Sequence, residues 1–333
     1  MSKVRPSMWS LALVVLVVFP LIVTNPTYTT IAVFTLLFMA CTTSWNMFSG
    51  YSGYVSLGSA IFYGCGAYTM ALVSSHAHMA GGEAQFWLVP LAGLVAMVVA
   101  VPVGAVALRV RRHTFVVITI ALFFVFQLLA INASFTGGAA GISLPLIPWL
   151  FSYYNLPFYY VALGMVVFAT LLSAGVRRSR FGLQLLAIRD DEDRALGLGV
   201  RVTAVKLTGF TMSAFTIGMA GALYAMFIGQ IYPQFVFDPQ FDITVALMAF
   251  LGGFGTLLGP LLGGLILEAS QQYLTLSFSN GSLYLILFGA LFLFVILFMP
   301  QGIVGGVSRW WALRALKREM VSMTDSEALG ANP

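Results

Sequence analysis

Residues 177–199 read Arg177-Arg178-Ser179-Arg180-Phe181-Gly182-Leu183-Gln184-Leu185-Leu186-Ala187-Ile188-Arg189-Asp190-Asp191-Glu192-Asp193-Arg194-Ala195-Leu196-Gly197-Leu198-Gly199, and charge continues to Arg201 and Lys206. This stretch lies between long apolar runs and holds seven of the sixteen lysines and arginines. The other nine fall at Lys3 and Arg5, at Arg109, Arg111 and Arg112, and from Arg309 to Arg318. Basic residues resist translocation across an energised bilayer, so the segments that hold them stay inside and those that lack them are exported. The four clusters therefore mark the inner side of a membrane protein.

Sixty per cent hydrophobic and eight per cent charged residues leave too little charge to cover a soluble surface, which needs about a quarter charged residues. A hydrocarbon layer about 30 Å thick takes about 20 apolar residues per helix, so the apolar runs allow about ten crossings. The runs are continuous, which indicates helices and not barrel strands. An all-α, polytopic inner-membrane protein is expected, with about ten transmembrane helices and both termini cytoplasmic. Spans are placed near 8–24, 29–48, 54–74, 87–108, 114–131, 156–176, 207–228, 243–258, 259–276 and 282–300. The loops this count exports, 75–86, 132–155, 229–242 and 277–281, contain no Lys or Arg.

The reading gives one transmembrane domain over 1–320, a segment from Arg309 to Met320 suited to lying on the inner surface, and a disordered tail over 321–333. Lys3 and Arg5 ahead of Leu11 to Phe19 resemble a secretory signal, but no small-residue cleavage site follows, so a retained first helix is expected. Trp9, Trp87, Trp149, Trp310 and Trp311 fall at or beside span ends, as an interfacial aromatic belt requires, and Trp45 lies within a turn of one. The net charge of +5 flanks apolar segments, where it meets lipid headgroups; no nucleic-acid partner is expected. Cys41 and Cys65 lie in apolar segments and read as small buried hydrophobes.

No G-x-x-x-x-G-K-[ST] loop is present, so this chain has no such cradle for a nucleotide phosphate. Any ATP coupling must come from a partner. His76 and His78 are spaced to touch one metal ion but have no further ligands nearby, and no cofactor or metal is expected. The chain is not expected to be an enzyme, since an intramembrane enzyme needs His, Cys, Asp or Glu clustered at one depth. In the charged connector, Leu185, Leu186, Ile188, Ala195 and Leu196 supply an apolar stripe beside Arg189 and four consecutive acids. Such a helix either enters a cleft of a cytoplasmic partner or rests on the membrane; acids this dense bind membranes poorly, which favours a protein.

The run Ala187-Ile188-Arg189-Asp190-Asp191-Glu192 followed by Ala195-Leu196-Gly197 resembles the cytoplasmic loop of branched-chain amino acid ABC transporter permeases of the LivM type. Other blocks agree in order: Trp45-Asn46, Gly50-Tyr51-Ser52-Gly53, Ser56-Leu57-Gly58, Gly64 and Gly66-Ala67-Tyr68, then Thr136-Gly137-Gly138 with Gly141-Ile142. Ala220-Gly221-Ala222-Leu223-Tyr224-Ala225 and Leu251-Gly252-Gly253-Phe254-Gly255-Thr256-Leu257-Leu258-Gly259-Pro260 resemble its C-terminal half. The resemblance covers about residues 40–270. It implies a bacterial inner-membrane importer subunit working with a second homologous permease, two cytoplasmic ATPases that bind the ATP, and an exported solute-binding protein. Its connector would couple to the ATPase through Gly182, Leu185, Leu186, Ile188, Arg189, Asp190, Asp191, Glu192, Ala195, Leu196 and Gly197. Asp242 stands where the family often has Ser, and after Thr119 the chain offers only Gln127 where the family often has an acid.

Candidates for the solute path are Asn46, Ser56, Gly58, Thr119, Ser213, Gly252, Gly253 and Glu268. For the polar side chains the alternative is interhelical hydrogen bonding, and for the glycines close helix packing. Glu268 is the one ionisable residue placed well inside a span, at a cost of about 3 kcal/mol or more unless paired, hydrated or protonated. It marks either the path or a contact with the second permease. Urea, amides and other small solutes stay open, as does a stand-alone carrier or channel, which would need coupling-ion or selectivity groups of its own.

Overall fold

The computed structural model describes residues 6–23, 25–76, 82–145, 154–277, 286, 289, 290, 293 and 302–306. Twelve α-helices lie between residues 6 and 277: α1 Pro6–Ile22, α2 Pro26–Ser52, α3 Ala60–His76, α4 Leu88–Ala107, α5 Arg112–Asn132, α6 Asn155–Arg178, α7 Arg180–Asp190, α8 Glu192–Gly197, α9 Val202–Ile228, α10 Pro233–Val236, α11 Pro239–Gly252 and α12 Gly259–Ser277. Among the described residues, six segments are long and apolar enough to cross a membrane: Pro26–Ser52, Ala84–Ala107, Arg112–Asn132, Asn155–Arg178, Val202–Ile228 and Pro233–Gly252. The tenth expected span at 282–300, the surface segment from Arg309 and the tail lie almost wholly outside the described residues.

Helix ends follow local chemistry. Asn25 accepts the Thr27 amide at 3.0 Å and Pro26 opens α2; Gly53, at φ 74°, closes it. Asp238 and Pro239 do the same for α11, because an N-cap oxygen meets a free amide and proline has no amide to leave free. Helix α2 is central: 78% of its apolar window is buried, against 22% for α5. Helix α9 lies against α3, α4 and α2, while α6 and α12 flank α2. The crossing of α3 and α9 is glycine-dependent, since a Cβ on Gly66 would sit 1.9 Å from the Gly218 carbonyl oxygen. At the far end from the connector, Ile142–Ser143 pairs antiparallel with Gln230–Ile231 and ties the loop after α5 to the loop after α9.

Four expected spans change by four residues or more, among them the seventh, which begins at Val202 instead of 207. The second span lengthens from 29–48 to Pro26–Ser52. The third, expected from residue 54, begins at Ala60, because the chain is unwound after Gly53. The eighth, expected to run to 258, stops at Gly252; Gly253 and Gly255 take φ 132° and 75°, a backbone that L side chains resist. The charged connector also forms two helices instead of one, with Asp191 extended between them and its carboxylate accepting the Arg194 amide.

Candidate functional site

The connector folds back on the bundle. Ser179 caps α7, and a Cβ on Gly182 would fall 2.0 Å from the Val176 carbonyl oxygen, so the turn out of α6 needs glycine there. Leu185, Ile188 and Ala195 are at most 1% exposed, with Leu185 packed beside Gly209 of α9. Leu186 is half-buried. The stripe expected to enter a partner's cleft is thus largely covered by the protein itself, because the end of the bundle around Phe48 and Phe210 is apolar and needs covering. The apolar residues left free are Leu183, Leu196 and Leu198, 61%, 54% and 82% exposed, beside the exposed Asp190, Asp193 and Gly197.

Charged side chains lock this packing. Arg112, first residue of α5, donates to the Ile188 and Arg189 carbonyls, both at 2.6 Å, satisfying the end of α7. Arg189 points inward: its Nη1 donates to Gly50 O at 2.8 Å and its guanidinium lies 5.4 Å from the Phe254 ring centre. Arg177 donates to Gly255 O at 3.1 Å and stacks over Tyr51. Lys206, 3% exposed, pairs with Glu192 at 2.8 Å and donates to the Tyr54 hydroxyl at 3.1 Å; that hydroxyl donates to Glu192. Burial pushes the Glu192 carboxyl up, but the bonds from Lys206 and Tyr54 outweigh it and hold it below the usual carboxylate range. Arg111 and Asp193 form an exposed pair at 3.3 Å, worth little in water.

The elbow 253–258, between α11 and α12, rests on α2. Asn46 is fully engaged there: its Oδ1 accepts the Gly255 amide at 2.8 Å and its Nδ2 donates to Thr256 O at 2.9 Å. Gly252 packs so closely that a Cβ would lie 1.7 Å from Gly259 O. Gly253 supplies the left-handed backbone of the bend, and the Thr256 hydroxyl donates to its carbonyl at 2.7 Å.

The unwound segment 54–59 has its own side-chain partners, as non-helical backbone buried in an apolar bundle must. Ser49 Oγ accepts the Ser56 amide at 3.3 Å, Thr119 Oγ1 accepts the Leu57 amide at 3.2 Å, and Asp242 Oδ1 accepts the Ser59 and Ala60 amides at 2.7 and 3.2 Å. The Ser56 carbonyl accepts Trp45 Nε1 at 2.8 Å, while the buried Ser56 hydroxyl has no partner. A Cβ on Gly58 would fall 2.8 Å from Thr119 O. Ser213 is buried, and its carbonyl accepts the Ser44 hydroxyl at 3.1 Å. Glu268, 1% exposed, accepts from Gln272 at 2.8 Å through Oε1, and its Oε2 has no partner.

Thus Asn46, Gly58, Thr119, Gly252 and Gly253 make packing or backbone contacts, while Ser56 and Glu268 each keep a buried oxygen without a partner. His76 donates to Leu72 O within its own helix, and His78 lies outside the described residues. Among the described residues no three His, Cys, Asp or Glu side chains are grouped to hold a metal.

A family model described as "Branched-chain amino acid transport system / permease component" matches residues 27–296. The chain belongs to this family. The permease is 29% identical over 332 aligned residues to the high-affinity branched-chain amino acid transport system permease protein LivM of Escherichia coli K12, covering 91% of this chain and 76% of the relative. It is also 28% identical over 281 residues to LivH of the same organism, covering 78% and 89%. A 120-residue portion is 32% identical to the autoinducer 2 import system permease protein LsrC of Klebsiella pneumoniae, covering 34% and 35%. No solved structure matches. The permease is a multi-pass membrane protein by its family and its apolar helices.

Sequence reasoning missed several residues of this region. Leu183 falls outside the stripe that the apolar periodicity picks out, which favours its buried neighbours. Arg177, Tyr54 and Lys206 read as topology markers or plain span residues. The departure at Asp242 was the one visible signal of a special role: an acid one turn inside a helix, 2% exposed, needs a donor set, and the first amides of α3 supply it.

Proposed function

We propose that the permease is the transmembrane subunit of an ABC importer that moves branched-chain or related amino acids into the cytoplasm. Its partners are a second homologous permease, two cytoplasmic ATPases that bind and hydrolyse ATP, and an exported solute-binding protein. About ten spans with both termini inside place the connector on the cytoplasmic side. There the exposed Leu183, Leu196 and Leu198 with Asp190 and Asp193 form the face that an ATPase cleft covers. ATP-driven closure shifts the connector and opens the path to one side at a time. The exported protein carries most solute selection, so the path needs few specific contacts.

The match of residues 27–296 to the family carries this reading. Similarity to both LivM and LivH supports a heteromeric pair of permeases. The test is copurification of this chain from its native membranes, followed by uptake of labelled leucine. Because Leu183 and Leu198 are exposed, aspartate at both positions leaves the fold intact and is expected to release the ATPase and abolish uptake. An ATPase that stays bound to this double variant refutes the docking face.

A further inference from the structure

The connector and the elbow 253–258 meet through residues on four elements. Arg189 reaches Gly50 O of α2 at 2.8 Å and lies over Phe254; Arg177, at the end of α6, holds Gly255 O; Asn46 holds the Gly255 amide and the Thr256 carbonyl. The guanidinium lies directly against the elbow, since a Cβ on Gly255 would lie 2.1 Å from Arg189 Nη1 and 2.9 Å from Gly50 O. It also has hinge chemistry, with positive φ at Gly253 and Gly255 between two helices. Phe254 stacks on Phe250 at 4.7 Å and packs against Trp45, so the ring under Arg189 is anchored in both α11 and α2. From the other side, Arg112 fixes the same turn of α7 to the start of α5. Displacing the last turn of α7 therefore pulls on the elbow and on α5 together. Helix α12 leaves that elbow and carries Glu268 about 14 Å further along, at about 1.5 Å per residue.

We infer that Arg189 is a transmission residue, not an ATPase contact: it passes movement of the connector to the α11–α12 elbow through Phe254 and Gly255, and so reorients α12. This rests on the connector being the ATPase-driven segment. The relation it describes is a coupling free energy between two sites, which shows as lost coupling while each site still works.

The test uses the whole complex in proteoliposomes, with ATP hydrolysis and labelled-leucine uptake measured together. For Arg189→Ala and Gly255→Ala the expected result is an ATPase bound at the wild-type ratio, continuing hydrolysis, and uptake per ATP reduced about tenfold or more. Arg189→Lys, which keeps a charge beside Gly50 O and Phe254, is expected to retain part of the coupling. Loss of the ATPase from Arg189→Ala overturns the inference, since that is the mark of a contact residue. Wild-type uptake per ATP in Arg189→Ala also overturns it. Should Arg189→Ala not fold, normal coupling in Gly255→Ala and Arg189→Lys makes Arg189 a folding residue only, as does failure of all three variants to assemble. An ATPase missing from the wild-type preparation overturns the underlying reading, and this inference with it, before any variant is compared.

Discussion

Asp242 and Asn46 illustrate how single polar groups hold irregular backbone inside an apolar bundle. Asp242 contributes through the amides it satisfies at the start of α3, where the helix dipole also favours a negative group. Replacing it with Ala leaves buried amides without an acceptor, which costs about 1–3 kcal/mol. Asp242→Ala is therefore expected to lower the melting temperature of the purified protein clearly, and Asp242→Asn, which keeps one acceptor oxygen, to lower it less. Equal melting of wild type and Asp242→Ala would remove the capping role. Asn46 was legible as a polar residue within a helix, but its partners Gly255 and Thr256 lie 209 and 210 positions away. No local pattern points to them.

At the scale of elements, α8 and α9 are joined by Glu192 and Lys206, with Tyr54 from the unwound segment as the third member. Because the folded Glu192 carboxyl is held below its ordinary value of 4.5, its contribution is complete above that value and is lost as the pH falls through the folded one. The melting temperature of wild type should exceed that of Glu192→Gln by a constant margin above about pH 5.5, and the margin should shrink under pH 4.5. A margin that stays constant down to pH 3 denies the ion pair its role. Elements were legible where apolar runs were uninterrupted, as in α4, α5 and α6. The elbow was not, because Leu251 to Leu258 carries no charge or proline and its break depends on the backbone of Gly253 and Gly255. The delayed start of α3 was hidden in the same way, since the segment after Gly53 carries no charge or proline.

For the whole molecule, the cationic clusters make a prediction about sides. With Cys65 replaced by Ser and Cys41 buried, Leu198→Cys should react with a membrane-impermeant maleimide only from the inside of the cell. Ser134→Cys, exposed in the loop after α5, should react only from outside. Labelling of Leu198→Cys in intact cells would invert the proposed topology and remove the ATPase from the connector. The amino-acid sequence alone determined the class of molecule, the order of its apolar helices, the charged connector between α6 and α9, and the family. Composition and run length set the first three, each legible within a local window, whereas the family rests on motif blocks spread over about residues 40–270. Tertiary structure alone decided which connector residues stay free, where α3 and α11 break, and that Arg189 and Asn46 grip an elbow. Periodicity records that a helix has an apolar face; only the packed fold determines which neighbour covers it and which polar groups, far apart in the chain, must then satisfy one another.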